Sequence, residues 1–434
     1  MKNIYFILFA FIISLLSCKN DDIIENEPIV TELVKPNILL IIADDMGLDA
    51  TPGFSEGSVK PHMPNLQGLI NSGVRFNNLW SAPTCSPTRA SILTGKYGVE
   101  TGVLEVGDEV STAEISIQKY LDDHALDAYN HAVIGKWHLS NISTHPNDMG
   151  IDHYAGLLEG GVQSYWNWQL TQNGITSQST EYITTKITDL AIDWVGEQEN
   201  SWFLWLAYNA PHTPFHLPPS DLHTQGDLPS DSASIEANPL PYYMAALEAM
   251  DSEIGRFLNS MSDEEKEKTI IIFIGDNGTP NQVAQLPYRR TTAKGTLFQG
   301  GINVPMIVSG FQVSRRNEIE TNMINTTDLF ATIADIAGTG TSEVNNSISF
   351  KSLFTNSDTG KRTIAYSEIE GLPRNGYTIR DETYKLIVFN TGEERFYNLE
   401  EDPYEEEDLL LIGLNNDEMI SKENLELKAQ GIRE

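Results

Sequence analysis

Short, uninterrupted apolar runs recur along the chain, and each stops abruptly at polar residues. Asn37-Ile38-Leu39-Leu40-Ile41-Ile42-Ala43 ends at Asp44-Asp45, and Thr269-Ile270-Ile271-Ile272-Phe273-Ile274-Gly275 ends at Asp276-Asn277-Gly278. His131-Ala132-Val133-Ile134-Gly135 leads into Lys136-Trp137-His138, and the run from Trp202 to Tyr208 leads into Asn209-Ala210-Pro211-His212. Runs without polar alternation suit strands covered on both faces, so they predict a parallel sheet between layers of helix. Ligands of such sheets lie outside the carboxyl ends of the strands. The four runs therefore deliver two Asp, an Asp-Asn pair, a Lys and two His to one edge.

Helical periodicity fills the intervals: Met63 to Ser72 before Gly73, Ser116 to His124, Thr180 to Gly196, Met244 to Met261, and Met323 to Ala337 before Gly338. The tail is patterned differently. Arg380 to Phe389 and Arg395 to Leu399 alternate as antiparallel strands do, with Asn390-Thr391-Gly392 as their turn. The predicted fold class is α/β, a large mostly parallel sheet sandwiched by helices, with a small C-terminal α+β subdomain carrying an antiparallel sheet. The main domain is placed at 36–344 and the subdomain at 345–434. The acids Glu400-Glu401-Asp402 and Glu405-Glu406-Glu407-Asp408 are expected in a solvated loop.

The first residues read Lys2, an apolar run from Ile4 to Leu16, then Ser17-Cys18-Lys19-Asn20-Asp21-Asp22. That run is short for a membrane span and suits an export signal. Leu15-Leu16-Ser17-Cys18 resembles a bacterial lipobox, which implies removal of residues 1–17 and lipidation of Cys18, with an ordinary signal peptide as the alternative. Residues 18–35 then form an acidic tether. Lys19, Asp21 and Asp22 resemble the downstream signals that send lipoproteins to the outer membrane or cell surface, so a membrane is the expected partner at that end.

Net charge refines the picture. The chain of 434 residues carries a formal −33, and without residues 1–17 it carries −34. Phosphate backbones demand a basic surface, so nucleic acid is excluded as a partner.

Asp44, Asp45, Asp276 and Asn277 supply three carboxylates and an amide oxygen, hard donors suited to Ca²⁺ or Mg²⁺ rather than Cu or Zn. Cys85, alone in the chain apart from Cys18, stands in Thr84-Cys85-Ser86-Pro87-Thr88-Arg89-Ala90-Ser91, where Pro87 and the polar residues around it read as a turn entering a helix. Arg89 falls in the first turns of that helix, near its positive end. A buried inert thiol would need neither the Pro nor the Arg at those spacings.

The Cys-x-Pro-x-Arg pentapeptide resembles the signature of the formylglycine-dependent sulfatases, arylsulfatase-like members of the alkaline phosphatase superfamily. Pro36-Asn37 leading to Ala43-Asp44-Asp45, Gly135-Lys136-Trp137-His138, Ala210-Pro211-His212-Thr213-Pro214, Gly275-Asp276-Asn277-Gly278 and Lys294 before Gln299-Gly300-Gly301 are similar to that family's other segments, in family order. The resemblance implies oxidation of Cys85 to formylglycine by a maturation enzyme. It implies a metal, Ca²⁺ ahead of Mg²⁺, on Asp44, Asp45, Cys85, Asp276 and Asn277, and catalytic roles for Cys85, Arg89, Lys136, His138, His212 and Lys294. By the same resemblance the hydrated aldehyde attacks sulfur, His212 or Lys294 protonates the leaving alcohol, and His138 helps return the aldehyde. Two positions depart from the family pattern, Gln299 where Glu is common and Asn303 where Arg is common, and both are expected behind the pocket.

Function is thus expected to be hydrolysis of sulfate esters on a sulfated carbohydrate, such as the algal glycans ulvan or carrageenan, by an outer-membrane lipoprotein. The rivals are a phosphonate or phosphodiester hydrolase of the same superfamily and an inactive sulfated-glycan binding protein. His145, His216 and His223 have no motif and read as surface or subsite residues. Tyr165, Trp166 and Trp168 read as core packing, with stacking on a sugar ring as the alternative.

Overall fold

Strand β1 (Asn37–Ala43) is buried along its whole length because both of its faces meet helices. The computed structural model describes residues 35–125, 129–371 and 375–434; the expected signal peptide, lipidation at Cys18 and tether up to Val34 lie outside these. The other strands of the large sheet are β2 (Val74–Trp80), β3 (Asn130–Gly135), β4 (His153–Gly156), β5 (Trp168–Gln172), β6 (Ile175–Ser179), β7 (Trp202–Ala207), β8 (Thr269–Gly275), β9 (Asn303–Gly310), β10 (Glu318–Glu320) and β11 (Ile324–Asn325). Their order is β10-β2-β9-β8-β1-β7-β3-β4-β5-β6, with β11 also on β2.

The four apolar runs are neighbours, β8-β1-β7-β3, and all pair in parallel. Their register aligns the strand ends. Ala43 lies opposite Gly275, Ile42 opposite Ala207, and Gly135 opposite Ala207, so all four strands end in one row and the chain leaves them at the same rim. Antiparallel pairing is confined to the flanks, where β9 meets β8 and β2, and where β5 pairs with β4 and forms a hairpin with β6 at the sheet's far edge.

Alternate residues of β1 serve two separate cores. Ile38, Leu40 and Ile42 pack with the helices Cys85–Thr94, Ile117–His124 and Asp328–Ile336, whereas Leu39, Ile41 and Ala43 pack with Pro64–Ser72, Ile183–Gly196 and Leu240–Ser260. The sheet is therefore sandwiched, as the apolar runs predicted. One helix begins later than its periodicity suggested: the stretch before Asp328 is recruited as β11 against Leu79 and Trp80, so helix starts only at Asp328.

The tail forms a four-stranded antiparallel sheet of Ala365–Ile369, Gly376–Arg380, Tyr384–Phe389 and Glu394–Asn398. One face takes the helix Asn416–Arg433 through Leu425 and Ala429, and the other packs on Leu297 and Phe298. Residues 35–434 form one compact unit. Among the described residues no helix is long and apolar enough to cross a membrane.

Glu405 overturns the expectation of a wholly solvated acidic loop. Its carboxylate is buried against Lys385 at 2.5 Å and accepts the Gln299 backbone N–H at 2.6 Å, while Lys385 also donates to the Leu297 carbonyl at 2.8 Å. Burial pushes Glu405 up and Lys385 down to about 8, each offset in part by the other's charge. Removing one member of a buried pair leaves the other charge without compensation, at about 3–5 kcal/mol. Glu405→Ala is expected to lower the denaturant midpoint accordingly, while Glu406→Ala, whose ion pair to Arg289 is exposed, is expected to leave it unchanged; equal midpoints for the two variants would contradict the buried pair.

Candidate active site

Backbone placement brings the predicted residues together at the common rim. Asp44 and Asp45 follow β1, Lys136 and His138 follow β3, Asn209 and His212 follow β7, and Asp276 and Asn277 follow β8. Cys85 opens the helix Cys85–Thr94, with Pro87 in its first turn, where a missing N–H costs nothing, and Gly95 ending it at φ 68°. Asp45 at φ 73° and His138 at φ 56° both occupy the left-handed region, which for side-chain-bearing residues marks backbone held by its surroundings.

Arg89 is fully buried and reaches three strand ends. It donates to the Lys136 carbonyl at 2.9 Å and to Asp276 Oδ2 at 2.7 Å, and its Nη2 lies 3.9 Å from Asp44 Oδ1. Lys136 Nζ meets Asp44 Oδ2 at 2.5 Å, and Lys294 pairs with Asp45 Oδ1. His212 Nε2 lies 3.8 Å from Asp45 Oδ2, while its Nδ1–H donates to the Thr213 carbonyl at 2.7 Å. Cys85 Sγ and His138 Nδ1 are 3.0 Å apart. All the predicted catalytic residues and all the predicted metal ligands thus belong to one constellation.

Burial and charge set the protonation states. Burial lowers both imidazoles: His138 is driven far below its usual range, further depressed by Lys136 and Arg89, and His212 falls to about 4 although Asp45 opposes the change. Burial pushes Asp44 up to about 8, against the attraction of Lys136. For Asp45 burial acts in the same direction but is outweighed by Lys294, His212 and Lys136, which hold the carboxyl below its usual range. Lys294 is held above its usual value, because Asp45 and Cys85 outweigh its burial. Burial raises the Cys85 thiol, with Lys136 opposing.

Buried polar atoms without a hydrogen-bond partner concentrate here: Asp44 Oδ1, Thr84 Oγ1, Arg89 Nε, Asn277 Oδ1, and both amide atoms of Asn209. Such atoms are rare in folded proteins, and a cluster of them marks groups kept for a ligand. Asn277 Nδ2 donates to Asp45 Oδ1 at 2.8 Å and to the Gly278 carbonyl, which leaves Oδ1 as its acceptor. Carboxylate and amide oxygens so disposed fit a hard divalent cation. Oxygen or nitrogen atoms of Asp44, Asp45 and His212 lie within 4.8 Å of one another, so His212 stands closer to the carboxylates than its expected role at the substrate required.

Residues 36–339 match the sulfatase family, and residues 291–430 match the C-terminal region of N-sulphoglucosamine sulphohydrolase. The chain belongs to the sulfatase family. It is a sulfuric ester hydrolase. Similar proteins include the uncharacterized sulfatase YdeN of Escherichia coli K12, 28% identical over 63% of this chain and 58% of that protein. Arylsulfatase G of Rattus norvegicus is 26% identical over 83% of this chain and 77% of its own length. The structure of Ps i-CgsB in complex with k-i-k-neocarrahexaose superposes with a TM-score of 0.75 at 24% identity, over 86% of this chain and 88% of that one.

In this sulfatase the two departures from the family pattern lie apart from the rim. Gln299 accepts from Trp80 Nε1 at 3.0 Å, and Asn303 donates to the Asn77 carbonyl at 3.0 Å. Asn209 is the site residue that sequence reasoning passed over; it stands three positions before His212, and only its burial without partners singles it out. His145 proves to be core rather than surface, because it accepts the Trp137 indole N–H and bonds the Val110 carbonyl.

Tyr165 and Trp168 are buried and Trp166 is exposed. Tyr165 donates to the His212 carbonyl at 2.6 Å, and its ring stacks on His216 with centroids 3.7 Å apart. His216 is buried between the Tyr182 hydroxyl and the Pro214 carbonyl, and burial pushes it down to about 4 although the Pro214 bond opposes the shift. An unfolded His takes its proton near 6.5, so the unfolded state binds more protons between pH 6.5 and 4, and stability is lost as pH falls through that window. The loss amounts to about 3 kcal/mol for such a shift. His216→Gln is expected to flatten the fall of unfolding free energy over this window relative to wild type; an unchanged slope would remove His216 as its source.

Proposed function

We propose that this sulfatase removes sulfate from a sulfated carbohydrate, with Cys85 converted to formylglycine and Ca²⁺ held by Asp44, Asp45, Asp276 and Asn277. The environment of Cys85 carries the reading. Its sulfur lies where a nucleophile is needed, 3.0 Å from the His138 ring and within the field of Lys136 and Lys294, yet burial raises the thiol and keeps it a poor nucleophile. A hydrated aldehyde at this position supplies the attacking oxygen that the thiol does not, and Ca²⁺ when bound withdraws charge from that oxygen and from the sulfate.

The chain's own groups account for the rest. When Asp44, Asp45 and Asp276 are all ionised, Arg89, Lys136 and Lys294 match them charge for charge, so a divalent cation bound to them leaves the site positive and ready for an anionic ester. Lys136 and Lys294 hold sulfate oxygens. His138, neutral and beside Cys85, accepts a proton there. Lys294, kept protonated beside Asp45, is the proton donor for the leaving alcohol, while His212, neutral with its Nδ1–H fixed on the Thr213 carbonyl, offers Nε2 as an acceptor that orients it. A carbohydrate substrate is supported by the likeness to Ps i-CgsB, a protein seen in complex with k-i-k-neocarrahexaose.

Purified enzyme from a host with a maturation enzyme is expected to show Cys85 as formylglycine by peptide mass spectrometry. It should cleave aryl sulfate far faster than aryl phosphate or phosphonate, and Cys85→Ala should lose at least a thousandfold in kcat/KM. Full activity with an intact thiol would sink the modification. Faster cleavage of phosphonate would move the enzyme to the rival chemistry.

Calcium makes a separate claim. A ligand bound only by the folded state at a hundred times its Kd stabilises by about 2.7 kcal/mol. Chelation should lower the melting temperature, and Asn277→Ala, which removes a donor without touching the Arg89 pairs, should weaken calcium binding at least tenfold. Wild-type metal content and melting temperature in that variant would exclude Asn277 as a ligand.

A further inference from the structure

A cavity of about 440 Å³ is lined in part by Leu158, Glu159 and Gly161, from a segment that also borders His138 and His212. That segment is pressed against the catalytic centre. The His138 N–H donates to the Leu158 carbonyl at 3.0 Å, a Cβ on Gly160 would fall 2.2 Å from His138 Nε2, and one on Gly161 would fall 3.1 Å from His212 Cε1. Gly161 also lines the cavity, so the space begins one residue away from the reacting groups.

The β5–β6 hairpin furnishes the opposite wall. Strand residues two apart share a face, and here that face is Gln169 and Thr171 on β5 with their cross-strand partners Gln178 and Thr176 on β6, all lining the cavity. Gln169 Nε2 donates to Gln178 Oε1 at 2.6 Å, and Gln178 Nε2 donates to Asn167 Oδ1 at 2.6 Å, which fixes the amides in a row. The ladder's ends, Gln169 Oε1 and Asn167 Nδ2, make no hydrogen bond among the described residues and offer one acceptor and one donor. Asn141 and Gln163 extend the amide lining, and Glu159 is its one ionisable member; among the described residues no Lys, Arg or His lines this space.

We propose that this cavity is a subsite for an uncharged sugar ring adjoining the ring whose sulfate is removed; the proposal rests on the sulfated-carbohydrate reading above. Paired donors and acceptors on amides match the vicinal hydroxyls of a sugar, and the volume is that of a small-molecule site. A second sulfate placed here would meet Glu159 and no cation, and it would give up its hydration without compensation. A site built to bond hydroxyl groups discriminates strongly against a ligand that leaves its polar groups unpaired. The enzyme is thereby selective for substrates sulfated on the attacked ring and bare on its neighbour.

The test uses disaccharides in three forms, unsulfated, sulfated on one ring and sulfated on both, with an aryl sulfate as reference. Wild type should favour the singly sulfated form over the doubly sulfated one at least tenfold in kcat/KM. Gln163→Lys should narrow that ratio below threefold, and Gln169→Ala/Gln178→Ala should lower the singly sulfated rate at least tenfold, both with aryl sulfate turnover unchanged. Equal or better turnover of the doubly sulfated form by wild type, or a ratio unmoved by Gln163→Lys, would overturn the subsite. Titration calorimetry with the unsulfated disaccharide separates this inference from the reading beneath it. Binding weakened by the Gln169→Ala/Gln178→Ala change supports the subsite even if no sulfate ester is cleaved, and binding that the change leaves intact refutes it even if aryl sulfate is cleaved well.

Discussion

The buried guanidinium of Arg89 is the interaction on which the active-site rim depends. It joins the ends of β1, β3 and β8 through Asp44, the Lys136 carbonyl and Asp276, with all of these groups withdrawn from solvent. Three carboxylates packed at one rim repel each other, and taken alone they would protonate or push the strand ends apart. Arg89, Lys136 and Lys294 make that rim tolerable, and of the three only Lys294 keeps any exposure. Under the proposed function, the electrostatics that permit folding and those that bind substrate are one set of contacts. Any substitution at Arg89 therefore damages both together, and a loss of activity there identifies no chemical role by itself.

Much of this was legible from hydrophobic pattern. Unbroken apolar runs gave β1, β3, β7 and β8 their places at the sheet centre, because only doubly covered strands lack polar alternation, and the polar residue after each run had to emerge at the rim. The pairing of Lys136 with Asp44 and of Lys294 with Asp45 was not legible. Those partners are far apart in sequence, and only the strand order decides which cation meets which acid. Pattern also failed where one residue departs from its neighbours. Glu405 sits among solvated acids and differs from them only in facing Lys385, and His145 resembles any loop histidine until Trp137 and Val110 close around it. The stretch before Asp328 carried a helical pattern, yet β2 needed a partner for Leu79 and Trp80 and took it. The amide face of the β5–β6 hairpin left no mark, since a run of Gln, Thr and Ser reads as loop.

The antiparallel tail reaches the rim indirectly. Lys385 and Glu405 grip the Leu297 carbonyl and the Gln299 N–H, a few residues beyond Lys294, while Leu297 and Phe298 are clamped in a separate apolar cluster. The segment bearing Lys294 is thus fixed from behind by residues made about a hundred positions later. This explains why buried charge is retained in a place where apolar packing would be more stable: the Lys385–Glu405 pair has backbone partners to hold, and a hydrophobic pair has none.

The depth at which Cys85 lies has a consequence for timing. Only 2% of its surface is exposed in the folded chain, so an enzyme that modifies the side chain must reach it before the sheet closes over it. The central strand β1 acquires its neighbours β7 and β8 only when the chain has been made as far as Gly275, roughly 190 residues after Cys85. At ordinary rates of synthesis that interval lasts roughly 10–40 s. Strand order therefore acts as a clock: if Cys85 is modified as proposed, the long-range pairing that slows folding of such a sheet leaves that position open before it is sealed.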